Sequence, residues 1–127
     1  MSASYNPQIQ PVSAEWLSLD ESDRSLLVLN SHVGLMGRGQ RAKAHAAMHV
    51  LVENQLALGF EPTVQAVERL QLEGLSRHDS VHAVALVVAE HIFNVARLPA
   101  GADAEALQSE LTQNVDRLTA KSWLAER

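Results

Sequence analysis

Apolar residues recur every three or four positions along most of this chain, and that periodicity constrains its fold more than any other feature. In the last third of the sequence the repeat is Leu107, Leu111, Val115 and Leu118. This spacing places the apolar side chains on one face of an α-helix, and no segment shows the strict alternation typical of a strand. Aromatic residues make up only 4% of the chain, which favours closely packed helices over a β-sandwich. The sequence therefore predicts an all-α protein.

Capping residues and helix breakers divide the chain into helices. Ser13 and Asp20 are expected to begin two shorter helices that end near Leu19 and Val33, before a glycine-rich loop at 34–39. Four main helices are predicted to follow, at about 40–58, 62–73, 77–97 and from 104 onward. The first two are expected to end at Gly59 and Gly74, and the last two to be capped by Ser76 and Asp103. The connections are short, so successive helices are expected to be antiparallel neighbours. We predict a helical bundle of four main helices plus one or two short N-terminal helices.

The length of the chain suits a single domain. Its 127 residues are enough for a hydrophobic core. The polar, proline-containing start predicts an extended N-terminal arm over 1–12, which is either anchored to the body by Tyr5 and Ile9 or frayed. Residues 13–127 are expected to form one helical domain.

Charge and residue usage exclude several classes of function. The net charge of −5 argues against nucleic-acid binding, and the basic residues Arg38, Arg41 and Lys43 are expected to be solvated. Cysteine is absent, so any metal site must use nitrogen and oxygen ligands. The polar N-terminus lacks a signal-peptide pattern, and the most apolar run, 83–89, is too short to cross a membrane. We expect a cytoplasmic protein without a membrane partner.

The glycines at 34, 37 and 39 precede a helix, as they do in phosphate-binding loops. No strand pattern comes before them and no Gly-Lys-Ser/Thr follows. No Rossmann fingerprint is present either. We therefore expect no nucleotide cofactor.

Four of the six histidines form two pairs with the same spacing, His45 with His49 and His78 with His82. A spacing of four residues places both members of a pair on one helix face. Both pairs flank the apolar stripe of a predicted main helix, and Glu53 extends the first pair by one turn. Histidines at the border of a core are partly dehydrated, which favours the neutral, ligating form of imidazole.

We predict that His45, His49, Glu53, His78 and His82 surround one transition metal ion such as Zn, Fe or Ni. On this hypothesis the protein is a small helical metalloprotein, either a hydrolase or an oxidase. A carboxylate-bridged two-metal site is less well supported, because Leu86 occupies the position on the second helix that corresponds to Glu53. The two remaining histidines, His32 and His91, are expected to be structural.

The alternative hypothesis is a helical interaction module without catalysis, forming a homodimer. Its histidines would then lie in an interface or bond to backbone and carboxylate groups. Such an oligomer is expected to lose stability as the pH falls through the range in which imidazole becomes charged, near ~6.5.

Three stretches together resemble a group of small, uncharacterised bacterial proteins. They are YNPQIQP at 5–11 with Glu-Trp-Leu at 15–17, HAAMHVLVENQLALG at 45–59 and EGLSRHDSVHAVA at 73–85. The similarity covers most of residues 5–97, and the group brings no activity with it. The resemblance implies that the run at 52–55 belongs with the histidine pairs, with Asn54 or Gln55 bracing the site.

Overall fold

The computed structural model describes residues 4–37 and 39–125, and over that part of the chain it contains helices and no strands. The prediction of an all-α bundle is confirmed. In chain order the helices are α1 (Ser13–Ser18), α2 (Glu21–Met36), α3 (Gln40–Ala57), α4 (Glu61–Leu72), α5 (Arg77–Ala96), α6 (Ala104–Arg117) and α7 (Ala120–Ala125).

The predicted caps set the ends of the later helices. The Ser76 hydroxyl accepts a hydrogen bond from the backbone N–H of Asp79 at 3.0 Å, which begins α5. The Asp103 carboxylate accepts bonds from two N–H groups in the first turn of α6. Gly59 and Gly74 follow α3 and α4 with φ of 73° and 107°, a conformation that glycine adopts without strain.

Two boundaries differ from the prediction. The helix expected to end near Val33 continues to Met36, so α2 is one of the long helices and only the end of the 34–39 segment lies between helices. An interior glycine costs a helix only about 1 kcal/mol, and Gly37 is the first in this segment with a positive φ. The short α7 was not predicted; the Thr119 and Ser122 side chains cap it through reciprocal bonds to each other's N–H groups. Arg38, from the predicted basic cluster, lies outside the described residues.

Helix α3 occupies the centre of the bundle, because it packs against α1, α2, α4 and α5. One apolar cluster lies on its α4 and α5 side and includes Val52, Leu70, Val84 and Trp123. A second lies on its α1 and α2 side and consists of Tyr5, Trp16, Val28, Ala46 and Val50. The histidine-bearing edge of α3 therefore lies between two packed cores.

By length and composition alone, α5 would be long and apolar enough to cross a membrane. In the bundle, however, Val81, Val84 and Val88 of this helix are buried. Its first residue, Arg77, is buried as well and forms an ion pair with Glu53. The N-terminal half of α5 is therefore packed in the core, whereas Ile92 and Phe93 near its C-terminal end are 50% and 63% exposed.

Candidate metal centre

Five histidines from three helices converge between α2, α3 and α5. Each offers one ring nitrogen, and the five nitrogens all lie within 4.8 Å of one another. The residues are His32 on α2, His45 and His49 on α3, and His78 and His82 on α5. The structure thus brings together both histidine pairs found in the sequence and adds His32 to them.

The distances between these nitrogens are close to those of a ligand set. His49 Nε2 lies 3.2 Å from His45 Nε2 and 2.7 Å from His82 Nε2. His32 Nε2 lies 3.3 Å from His78 Nε2. Nitrogens bound to one ion at ~2.1 Å are about 3 Å apart at right angles and about 4.2 Å apart when opposite. The three distances above, and the upper limit of 4.8 Å for the whole group, are close to these values.

The tautomer of His49 follows from its partners on the other side of the ring. The Tyr5 hydroxyl has one hydrogen, which it donates to Glu53 Oε2 at 2.5 Å. It can only accept from His49 Nδ1, which lies 3.1 Å away and so carries the N–H. The lone pair of His49 is then on Nε2, the atom that faces the other histidines.

The tautomer of His32 is fixed in the same way. Its Nδ1 lies 3.0 Å from the Val28 carbonyl oxygen, which can only accept. It also lies 2.8 Å from the Ser31 hydroxyl, whose hydrogen goes to the same carbonyl. Nδ1 therefore carries the N–H and Nε2 the lone pair. Ring N–H bonds to a carbonyl or a carboxylate network orient metal-ligating histidines in this way.

The surroundings favour the neutral form of the His45, His49 and His78 imidazoles. Burial lowers the pKa of His49 to about 2, with a further contribution from the neighbouring imidazole of His82. Burial also lowers the pKa of His45 and of His78, and His32 adds to both effects. Neutral imidazole is the form that coordinates a metal ion.

Glu53 lies outside the group of five and is already engaged. It is 1% exposed, and its two oxygens accept from Arg77 Nη1 and Nη2 at 2.8 and 2.7 Å. Burial lowers the pKa of Arg77, but the hydrogen bonds and charge of Glu53 outweigh this and raise it overall. The sequence predicted Glu53 as a fifth donor; in the structure it reaches the histidines through the Tyr5 hydroxyl.

The N-terminal arm covers this network. Tyr5 is buried, and burial followed by the charge of Glu53 raises its pKa. The Pro7 carbonyl accepts from Arg77, and the Gln8 side chain accepts from the backbone N–H of His78. Ile9, a candidate anchor by sequence, is 64% exposed.

Sequence reasoning expected a structural role for His32, considered Tyr5 only as an anchor of the N-terminal arm, and did not single out Arg77. The sequence signal for His32 is that it follows the apolar Val28 by four residues and so shares its helix face; the structure shows that Val28 is buried. Asn54 and Gln55 bond to Trp16, Arg24 and Thr63, so they tie neighbouring helices to α3. His91 lies on α5 outside the group of five.

A cavity of about 220 Å³ opens beside the cluster. His45, His49 and His82 line one side of it. The rest of the lining is apolar and comes from α3, α5 and α7: Met48, Ala85, Leu86 and Trp123.

Comparison of the chain with protein-family models, with curated proteins and with solved structures finds no match. The geometry of the site is therefore what bears on function. A buried cluster of five imidazoles within this distance can hold a transition metal ion.

Proposed function

We propose that this protein is a metalloprotein that binds one transition metal ion through His32, His45, His49, His78 and His82. The observation that carries the proposal is the direction of the lone pairs. His49 and His32 come from different helices, and each uses Nδ1–H to bond outward while Nε2 points into the cluster. Because the Nδ1 of each ring is engaged elsewhere, the Nε2 lone pairs of both rings are directed at the same place, where one metal ion could accept them.

The all-imidazole donor set narrows the choice of metal. Imidazole suits Zn, Fe, Ni and Cu, whereas Mg and Ca prefer oxygen ligands. Zn, Fe or Ni remain our candidates. In this proposal Glu53 is not a ligand of the metal ion. It accepts a hydrogen bond from Tyr5, and Tyr5 in turn fixes the orientation and the tautomer of the His49 ring.

The chemistry available at such a site follows from its open side. Five nitrogen ligands leave the sixth position of an octahedral ion free, and the cavity lined by His45, His49 and His82 gives access from solvent. A metal ion with a free position can activate water for hydrolysis or bind an oxidant. Hydrolase and oxidase activities are both consistent with this proposal.

Elemental analysis of untagged protein from metal-replete growth tests metal binding directly. We expect about one ion per chain. His49→Ala and His82→Ala are expected to abolish binding, and His91→Ala, which changes a histidine outside the cluster, is expected to retain it. Circular dichroism shows whether each variant is folded. Less than a tenth of an ion per folded wild-type chain, or equal loss in His91→Ala, would overturn the proposal.

A further inference from the structure

The cavity beside the histidines is too large and too apolar to serve only for the entry of water. Its volume of about 220 Å³ exceeds the ~150 Å³ of an apolar cavity that binds benzene. Besides the three histidines, its walls are the side chains of Met48, Ala85, Leu86 and Trp123. Leu86 is 60% exposed, whereas Ala85 is 4% exposed, so Leu86 lies at the mouth and Ala85 in the wall.

The charge of the site favours an anion. Five neutral imidazoles would leave the two positive charges of a divalent ion uncompensated, and no lining residue of the cavity carries a formal charge. Of the two carboxylates beside the cluster, Glu53 is paired with Arg77, and Asp79, whose charge acts on His78, is not among the residues that line the cavity. A charge in a buried site is stable only when it is paired. An anion that enters the cavity would supply negative charge on the side of the cluster that His45, His49 and His82 form.

We propose that the cavity binds a small amphiphilic monoanion of the short-chain carboxylate class. Its carboxylate binds the metal ion from the side of His45, His49 and His82, and its alkyl chain lies against Met48, Ala85, Leu86 and Trp123. This inference rests on the proposed function, because the metal ion supplies the positive charge.

The test uses the full chain loaded with Co²⁺, whose visible absorption changes with its ligands. Cobalt content is measured first, and the protein is then titrated with acetate, propionate and butyrate. Each methylene buried in the cavity is expected to tighten binding about fourfold, which is the transfer free energy of a CH₂ group. Butyrate should thus bind roughly 15-fold more tightly than acetate.

Two variants test the contribution of the cavity to ligand binding separately from that of the metal ion. Ala85→Leu fills the wall and Leu86→Trp blocks the mouth, and both leave the histidines in place. In each, acetate is expected to bind as in the wild type while the preference for butyrate falls to about onefold. Ala96→Leu adds the same bulk at an exposed site on α5 and is expected to retain the wild-type preference. Because Leu86 is already exposed, Leu86→Trp remains informative if Ala85→Leu fails to fold.

The outcomes are distinct. A flat acetate-to-butyrate series in wild-type protein that holds cobalt would overturn the inference and leave metal binding standing. An unchanged preference for butyrate in both folded cavity variants would also overturn it, because the chain would then bind elsewhere. If the wild-type protein takes up no cobalt and also holds no transition metal in the elemental analysis, the proposed function fails and this inference fails with it.

Discussion

At the scale of single residues, a chain of hydrogen bonds links a buried charge pair to one histidine. Arg77 donates to Glu53, Glu53 accepts from the Tyr5 hydroxyl, and that hydroxyl accepts from His49. In this series of hydrogen bonds, each hydrogen atom lies between one donor and one acceptor. The consequence is that His49, which is fully buried, presents its Nε2 lone pair to the cluster.

Glu53→Gln tests whether this carboxylate is a ligand or a support. If it acts through Tyr5, the folded variant keeps one ion per chain and loses roughly 10- to 100-fold in metal affinity, measured by competition with a chelator. Because Arg77 is left buried without its anion, the free energy of unfolding is expected to fall by ~3–5 kcal/mol.

Tyr5→Phe is the matched variant for this prediction. It breaks the same chain one step closer to His49, keeps the aromatic ring beside Trp16 and leaves the ion pair intact. We expect a similar loss of affinity with a smaller loss of stability. A folded Glu53→Gln protein without metal, beside a Tyr5→Phe protein of unchanged affinity, would instead make Glu53 a direct ligand.

At the scale of helices, the N-terminus of α5 holds part of the site. His78 is the second residue of this helix, and its backbone N–H bonds to Gln8. The Ser76 cap fixes the same turn through Asp79. Fraying of that turn would move the His78 ring away from the cluster.

Replacement of the cap tests this coupling. Ser76→Ala is expected to cost ~1 kcal/mol of stability, as is Asp103→Ala at the start of α6, a helix that carries no histidine. Only Ser76→Ala should also weaken metal binding, by up to about fivefold. Urea unfolding and chelator competition measure the two effects. Equal affinity in both variants would show that the first turn of α5 does not control the site.

At the scale of the whole molecule, the cluster makes stability depend on pH. Burial lowers the folded-state pKa of His45, His49 and His78 below their ordinary value of 6.5. Below ~6.5 the unfolded chain binds protons that the folded chain does not, so the unfolded state is favoured as the pH falls. Above that value the effect is absent.

We therefore expect the metal-free protein to lose stability between about pH 7 and about pH 5. For the fully buried His49 the slope approaches ~1.4 kcal/mol per pH unit. Urea unfolding in the presence of a chelator measures it. His49→Leu is expected to reduce the slope, and His91→Gln to leave it unchanged. A free energy of unfolding that stays constant over this range would contradict the prediction.

The alternative of a homodimer with pH-sensitive histidines stays a prediction. Light scattering near pH 8 and near pH 5.5 would distinguish it, because that hypothesis predicts dissociation as imidazole becomes charged. The buried histidine cluster can make the free energy of unfolding depend on pH even if no histidine lies in an interface between subunits.

The all-α class, most helix ends and both histidine pairs could be predicted from the sequence, because each depends on neighbours within one or two turns. The apolar period, the Ser76 and Asp103 caps and the i, i+4 spacing are local properties of this kind. The extension of α2 past Gly34 was missed because packing overrides the modest cost of a glycine.

Only the tertiary structure decided which donors meet. His32 is 46 residues from His78, whose Nε2 lies 3.3 Å from its own, and Tyr5 is 48 residues from Glu53. The sequence aligned Glu53 with His45 and His49 on one face of α3, and that alignment is correct for the helix. It could not supply Arg77 and Tyr5, which engage the carboxylate from α5 and from the arm. Helical periodicity fixes the direction of a side chain on its own helix, whereas its partner depends on how the helices pack.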